Sequence, residues 1–176
     1  GAATSFFPVL QWMRVAHPRM YFTWFLLASY ISFYSPDGIL FHKGTEMYGL
    51  NLPRDAARAA GRLLVVEGYT DVMHCHQAGL REVAAGLGTA LTPDNAQQLR
   101  RFGVPVFLVF DGDEAGLKAA ERAAETLLAG QLEGAVAILP PGQDPADVVV
   151  ASGIGPMEAA VDGAQDLWSY RMERTL

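Results

Sequence analysis

Residues 105–116 read PVFLVFDGDEAG, and this stretch decides the fold. Residues 105–110 form an unbroken apolar run of aromatic and β-branched side chains, the pattern of a strand buried on both faces of a parallel sheet. The run stops at Asp111-Gly112-Asp113. An Ala- and Glu-rich segment, 114–129, follows at once, reads as helix and ends at Gly130. A strand, an acidic turn and a helix therefore form the unit to look for on either side.

Upstream, residues 63–67 (LLVVE) form a second short apolar run that ends in Glu67. Residues 70–78 read as helix and Gly79 stops it. Residues 83–85 are a weak strand followed by a loop over 86–89. Residues 93–102 are helical, with Thr92 or the preceding loop as cap and Pro93 at the first turn. Downstream, residues 135–139 give a further strand, broken by Pro140-Pro141-Gly142. Strands spaced by helical stretches mean βαβ units, hence an α/β protein with a mostly parallel central sheet flanked by helices.

The chemistry gathers at the carboxyl ends of these strands, where open α/β sheets bind ligands. Glu67 ends one strand, Asp111 and Asp113 follow the next strong one, and Asp144 follows the last after a short turn. Any one of these acids reads as a helix cap or turn former. Three strands delivering carboxylates to one edge is more than capping requires. Clustered carboxylates raise one another's pKa unless a cation is present. Mg²⁺ suits them, because it takes carboxylate oxygens and keeps positions open for phosphate. Gly68, Gly112 and Gly116 allow sharp turns and a close approach beside the acids.

Other motifs carry less. Gly86-Leu87-Gly88 resembles the start of a dinucleotide fingerprint, but Leu91 stands where the third glycine belongs. His74 and His76 point about 200° apart on a helix, so with Cys75 they read as part of a partly buried helix. Ala115 stands where an aspartyl-phosphatase motif wants Thr or Val, and there is no Gly-x-Ser-x-Gly.

The chain has 176 residues, a net charge of −6, 51% hydrophobic and 18% charged residues, which excludes a disordered or collagen-like chain. One cysteine excludes a disulfide framework and a Cys-rich zinc site. With a pI near 5.1, nucleic acid can be bound only through a local basic face or bound metal. Residues 1–34 hold 10 of the 18 aromatic residues and two charges, Arg14 and Arg19. Their uncharged run 20–34 is short for a membrane span. It is read as buried core of an incomplete domain, as a membrane-contacting segment, or as an aberrant stretch. Residues 51–61 are a linker, or a short helix over 54–60.

Residues 65–72 (VVEGYTDV), 86–92 (GLGTALT), 110–116 (FDGDEAG) and 139–147 (LPPGQDPAD) together resemble the toprim domain of bacterial DNA primase. Residues 41–50 (FHKGTEMYGL) are similar to the segment just before that domain. The Glu plus Asp-x-Asp pattern is common to all toprim proteins; the combination of segments is specific to the primase. The resemblance implies a toprim fold over 62–150. Residues 35–61 would end a partial preceding subdomain, 151–176 would begin trailing helices, and 1–34 would be an unassigned, aberrant remnant of the N-terminal subdomain.

The family makes short RNA primers on single-stranded DNA from ribonucleoside triphosphates, by metal-dependent nucleotidyl transfer in the cytoplasm. By resemblance Glu67, Asp111 and Asp113 hold Mg²⁺ or Mn²⁺. Glu67, Asp71 and Asp144 are the catalytic acids, with Glu67 either ligand or general base. Lys43 lies on a surface that meets template or nucleotide. Zinc is expected only in an N-terminal ribbon, and a replicative helicase only through a C-terminal domain; neither is in this chain, which is read as a fragment. No membrane partner is expected. One departure stands out: the family's further Asp, two residues after Asp144, is replaced by Ala146, with Asp147 next. A non-catalytic toprim module binding DNA or protein, a toprim nuclease, and a membrane-associated protein using residues 6–34 are the competing readings.

Overall fold

A computed structural model describes residues 44–87 and 90–174. The expectations for residues 1–34, Lys43 and Gly88 lie outside the described residues. In chain order the elements are β1 (Met47–Tyr48), α1 (Arg54–Ala60), β2 (Leu63–Val66), α2 (Tyr69–Ala78), β3 (Val83–Gly86), α3 (Pro93–Arg100) and β4 (Val106–Phe110). They continue with α4 (Glu114–Ala129), β5 (Gly134–Ile138), α5 (Pro145–Ser152), α6 (Gly155–Asp162), β6 (Gln165–Asp166) and α7 (Leu167–Glu173). The strands make one sheet in the order β1-β3-β2-β4-β5-β6. The inner four run parallel, with Leu64 beside Val83 and Phe107, and Leu108 beside Val136. β1 and β6 close the two edges antiparallel.

Alternation along the strands explains why they are apolar throughout. Leu63, Val65, Val106, Leu108 and Phe110 point to one face, where Leu99, Ala120, Ala123, Ala124, Leu127 and Tyr170 cover them. Leu64, Val66, Val83, Val109 and Ala137 point to the other, against Val72, Cys75, Val148, Val149, Met157 and Val161. A strand covered on both sides has no position left for a polar residue. The alanines of α4 let that helix lie close on the sheet. Truncating Leu108, which has no exposed surface, to Ala would cost about 2–5 kcal/mol.

The helix ends follow their sequence signals. Thr92 caps α3: its Oγ1 accepts from Asn95 N–H at 3.2 Å, and Asn95 Oδ1 accepts from Thr92 N–H at 3.0 Å. The same cap reaches the segment before β1, since Thr92 Oγ1 donates to the Gly44 carbonyl at 2.6 Å and Asn95 Nδ2 to the Thr45 carbonyl at 3.2 Å. α3 ends two residues before the expected 102. The region read as linker or helix is helix, α1. The two edge strands extend the sheet beyond 62–150 on both sides. Each has only two residues, too short for any periodic pattern to show.

Candidate functional site

The carboxyl ends of β2 and β4, adjacent in the sheet, set Glu67 and Asp111 side by side. The Asp111 N–H donates to Glu67 Oε1 at 3.5 Å. From there each acid is placed by the helix that follows its strand. Asp113 caps α4, its Oδ1 accepting from Gly116 N–H at 2.7 Å. Asp144 caps α5, its Oδ1 accepting from Asp147 N–H at 2.6 Å. Asp71, in the first turn of α2, reaches back to Gly68 N–H at 2.9 Å and also accepts from the Ala146 N–H of α5. The capping reading therefore holds for Asp113 and Asp144, and Asp71 closes the first turn of α2 in the same manner.

Asp111 is different. Its Oδ1 is buried and has no hydrogen-bond partner among the described residues. Burial, then the charges of Glu67, Asp71, Asp144 and Asp113, push its carboxyl up to about 7. Burial also pushes Asp71 up to about 6; the Gly68 N–H opposes this, while Asp144 and Glu67 add to it. Glu67 is raised by burial and by Asp113, against the Asp111 N–H. These mutual effects bring Glu67, Asp71, Asp111, Asp113 and Asp144 into one electrostatic cluster. Asp147 is exposed on α5 and is not among the acids that act on Asp71 or Asp111.

Two glycines let the cluster close. A Cβ on Gly112 would overlap the Leu139 carbonyl and crowd Pro140 and Pro141, which lead to Asp144. A Cβ on Gly116 would overlap the Asp111 carbonyl. Both positions are tight against backbone, which cannot swing aside as a side-chain tip can.

The donor set is all oxygen, and an unpartnered buried carboxylate oxygen is what a hard cation satisfies. Among the described residues no group of three or more His, Cys, Asp or Glu is drawn together tightly enough to hold an ion unaided. Asp113 and Asp144 each commit one oxygen to a helix cap. Mg²⁺ fits such a partial set, because it is held by one or two carboxylates with waters and substrate phosphate completing its shell.

Beside Glu67 opens a cleft of about 300 Å³ with Gly86, Ala90, Leu91, Phe110, Ala119, Arg122 and Ala123 on its walls. The sequence reading did not single out Arg122. Its signal is its place next to buried Ala123, at the border of the apolar stripe of α4. The His74–His76 segment is structural as expected. His74 Nδ1 bonds the Thr70 carbonyl at 2.9 Å, His76 Nε2 the Val83 carbonyl at 3.0 Å, and Cys75 is buried.

The comparisons with known proteins agree with this architecture. Residues 64–149 match the family described as Toprim-like. The DNA primase of Campylobacter jejuni is 37% identical over 149 residues, 85% of this chain. Over most of its length the chain resembles the catalytic core of bacterial DNA primase. It spans 24% of the length of that primase relative. A DNA primase domain from Pseudomonas aeruginosa superposes with a TM-score of 0.72 at 40% identity, covering 80% of this chain and 45% of that one. A primase catalytic domain bound to single-stranded DNA superposes with a TM-score of 0.68 at 39% identity, covering 77% and 45%. The primase fold is thus established for the described region. No helix among the described residues is long and apolar enough to cross a membrane.

Proposed function

We propose that this chain is the nucleotidyl-transfer centre of a cytoplasmic primase, which joins ribonucleoside triphosphates into short RNA primers on a single-stranded DNA template. The observation that carries the reading is Asp111 Oδ1, a buried carboxylate oxygen without a partner among the described residues, at the meeting point of four other acids. Glu67, Asp111 and Asp113 would hold a divalent cation, Mg²⁺ or Mn²⁺, with Asp71 and Asp144 extending the negative surface on the α5 side. Such a cation lowers the pKa of an attacking hydroxyl and offsets charge on a departing pyrophosphate. Asp113 and Asp144 are fixed by their caps, so they present their remaining oxygens without reorganising. Glu67 is steered by the Asp111 N–H, and its raised pKa suits it to take the proton from a 3′-hydroxyl. The raised pKa of Asp111 marks a site where a proton and a cation compete.

Lys43 would add positive charge on the side where the template or nucleotide approaches. Residues 62–150 would form the toprim unit, 35–61 the end of a preceding subdomain and 151–176 the first trailing helices. In the full-length protein a zinc ribbon and a helicase-binding domain would lie elsewhere in the chain. The test is ribonucleotide incorporation on a single-stranded DNA template with Mg²⁺ or Mn²⁺ and with EDTA. Incorporation that needs metal and is lost in Asp113→Asn supports the reading. Full activity in that variant overturns it.

A further inference from the structure

Among the described residues, the cleft beside Glu67 is lined by two charged residues, Glu67 and Arg122, and otherwise by apolar ones. Arg122 is available for a local reason. Glu125, one turn on along α4 and the acid within reach of Arg122, is engaged by α7, and Glu121 by the residue that ends α7. Arg174 Nη1 donates to Glu121 Oε1 at 2.7 Å, and Arg171 pairs with Glu125. Lys118, one turn earlier, is held by Glu114 at 2.6 Å. The Arg122 guanidinium makes no ion pair or hydrogen bond among the described residues. Arg122 lies nine residues after Asp113, a rise of about 13 Å along the helix. Long helical side chains lean toward the helix N-terminus, which here is the end carrying Asp113. Arg122 and Glu67 line the same cleft.

A permanent planar cation sharing a cleft with Glu67, itself one of the five clustered acids, has a specific complement. The acids call for a bound cation and its phosphate ligand, and guanidinium matches a phosphate with two parallel N–H donors. In a chain with net charge −6, a polyanion approaching these acids needs such a local cation. We propose that Arg122 binds a phosphate of the ligand whose reacting end lies on the carboxylates; this rests on the nucleotidyl-transfer reading above. Two sources share that chemistry: the triphosphate of a nucleotide and the phosphodiester of a nucleic-acid strand.

The experiment compares wild type, Arg122→Gln and Arg122→Lys, after thermal melting has shown equal stability. Binding of a fluorescent single-stranded oligodeoxynucleotide is followed over a salt series, and binding of a fluorescent ATP analogue is followed with Mg²⁺. The Gln variant weakens one of the two by about tenfold, and Lys recovers part of the loss. If the phosphate belongs to the strand, the slope of log affinity against log salt falls by about 0.7. If it belongs to the nucleotide, oligonucleotide binding is unchanged and only the ATP analogue is lost. Wild-type affinity for both probes in Arg122→Gln overturns the assignment. Asp111→Asn keeps the two claims apart. If it retains ribonucleotide incorporation, the nucleotidyl-transfer reading fails, while an effect at Arg122 still shows phosphate binding. Failure of the wild type to bind either probe overturns both.

Discussion

The backbone N–H of Asp111 donates to Glu67 Oε1 across 3.5 Å, so the residue that follows β4 steers the acid that follows β2. The contact joins neighbouring parallel strands at their carboxyl ends. It leaves Asp111 Oδ1, not the backbone of that residue, as the unsatisfied group of the cluster among the described residues.

Asp111→Asn should make the metal-free protein more stable at neutral pH. The folded carboxyl has its pKa at about 7, against 3.8 for the ordinary group. Between those values the folded state holds more protons than the unfolded one, so the contribution of Asp111 to stability falls as pH rises from about 4 to about 7. Asn carries no charge and escapes this loss. In EDTA the variant should exceed wild type by about 1 kcal/mol above pH 7, the shift being discounted for a partly exposed group. The two should converge near pH 4. Urea midpoints across this range measure the gap; a gap that widens toward acid pH contradicts the sign.

Divalent cations should reverse that order. A ligand that binds only the folded state adds about 2.7 kcal/mol at 100 times its dissociation constant. Titrating Mg²⁺ at pH 8 should raise the wild-type melting temperature progressively and leave Asp111→Asn nearly flat. Parallel responses of the two proteins would place the cation elsewhere.

Gly112→Ala should destabilise by about 1–3 kcal/mol through overpacking. The new methyl group would overlap the Leu139 carbonyl and meet Pro140 and Pro141, which pushes the loop bearing Asp144 away from Asp111. Denaturant titration reads the stability. Gly155→Ala, where no atom lies within 4 Å of the added Cβ and φ is not positive, controls for the loss of glycine's chain freedom alone. Equal wild-type stability in Gly112→Ala would show that the loop moves freely.

Cys75 should resist thiol reagents in the native protein. Burial, with the charges of Asp71 and Glu82, pushes its thiol up to about 12, and the thiolate is the reactive form. Reaction with a disulfide reagent should wait on unfolding and follow the denaturant transition. Fast reaction in native buffer would contradict the burial.

The strands and helices that carry the acids were legible in the sequence because their signals are local. Residues 105–110 have no room for a polar side chain, Gly79 and Gly130 stop their helices, and Thr92 caps the next. Glu67, Asp111, Asp113 and Asp144 were legible because each follows a strand; Asp71, inside α2, was given only by the family resemblance. Which of them is free was not. Asp111 and Asp113 are two residues apart and chemically alike, yet Asp113 Oδ1 meets the Gly116 N–H while Asp111 Oδ1 has no partner among the described residues. Arg122 was hidden for a similar reason. Its freedom depends on α7 engaging Glu125, and the residue that ends α7 engaging Glu121, from about 50 residues away in sequence, which no spacing rule detects. The edge strands β1 and β6 have two residues each and exist through pairing alone.

Direct metal binding at the five-acid cluster tests the central claim most closely. Mn²⁺ can be titrated into wild type and Asp111→Asn at pH 8, with free ion followed by electron paramagnetic resonance. The account predicts saturable binding by the wild type and loss of at least one site, or about tenfold weaker affinity, in the variant. Equal stoichiometry and affinity in the two proteins would contradict it.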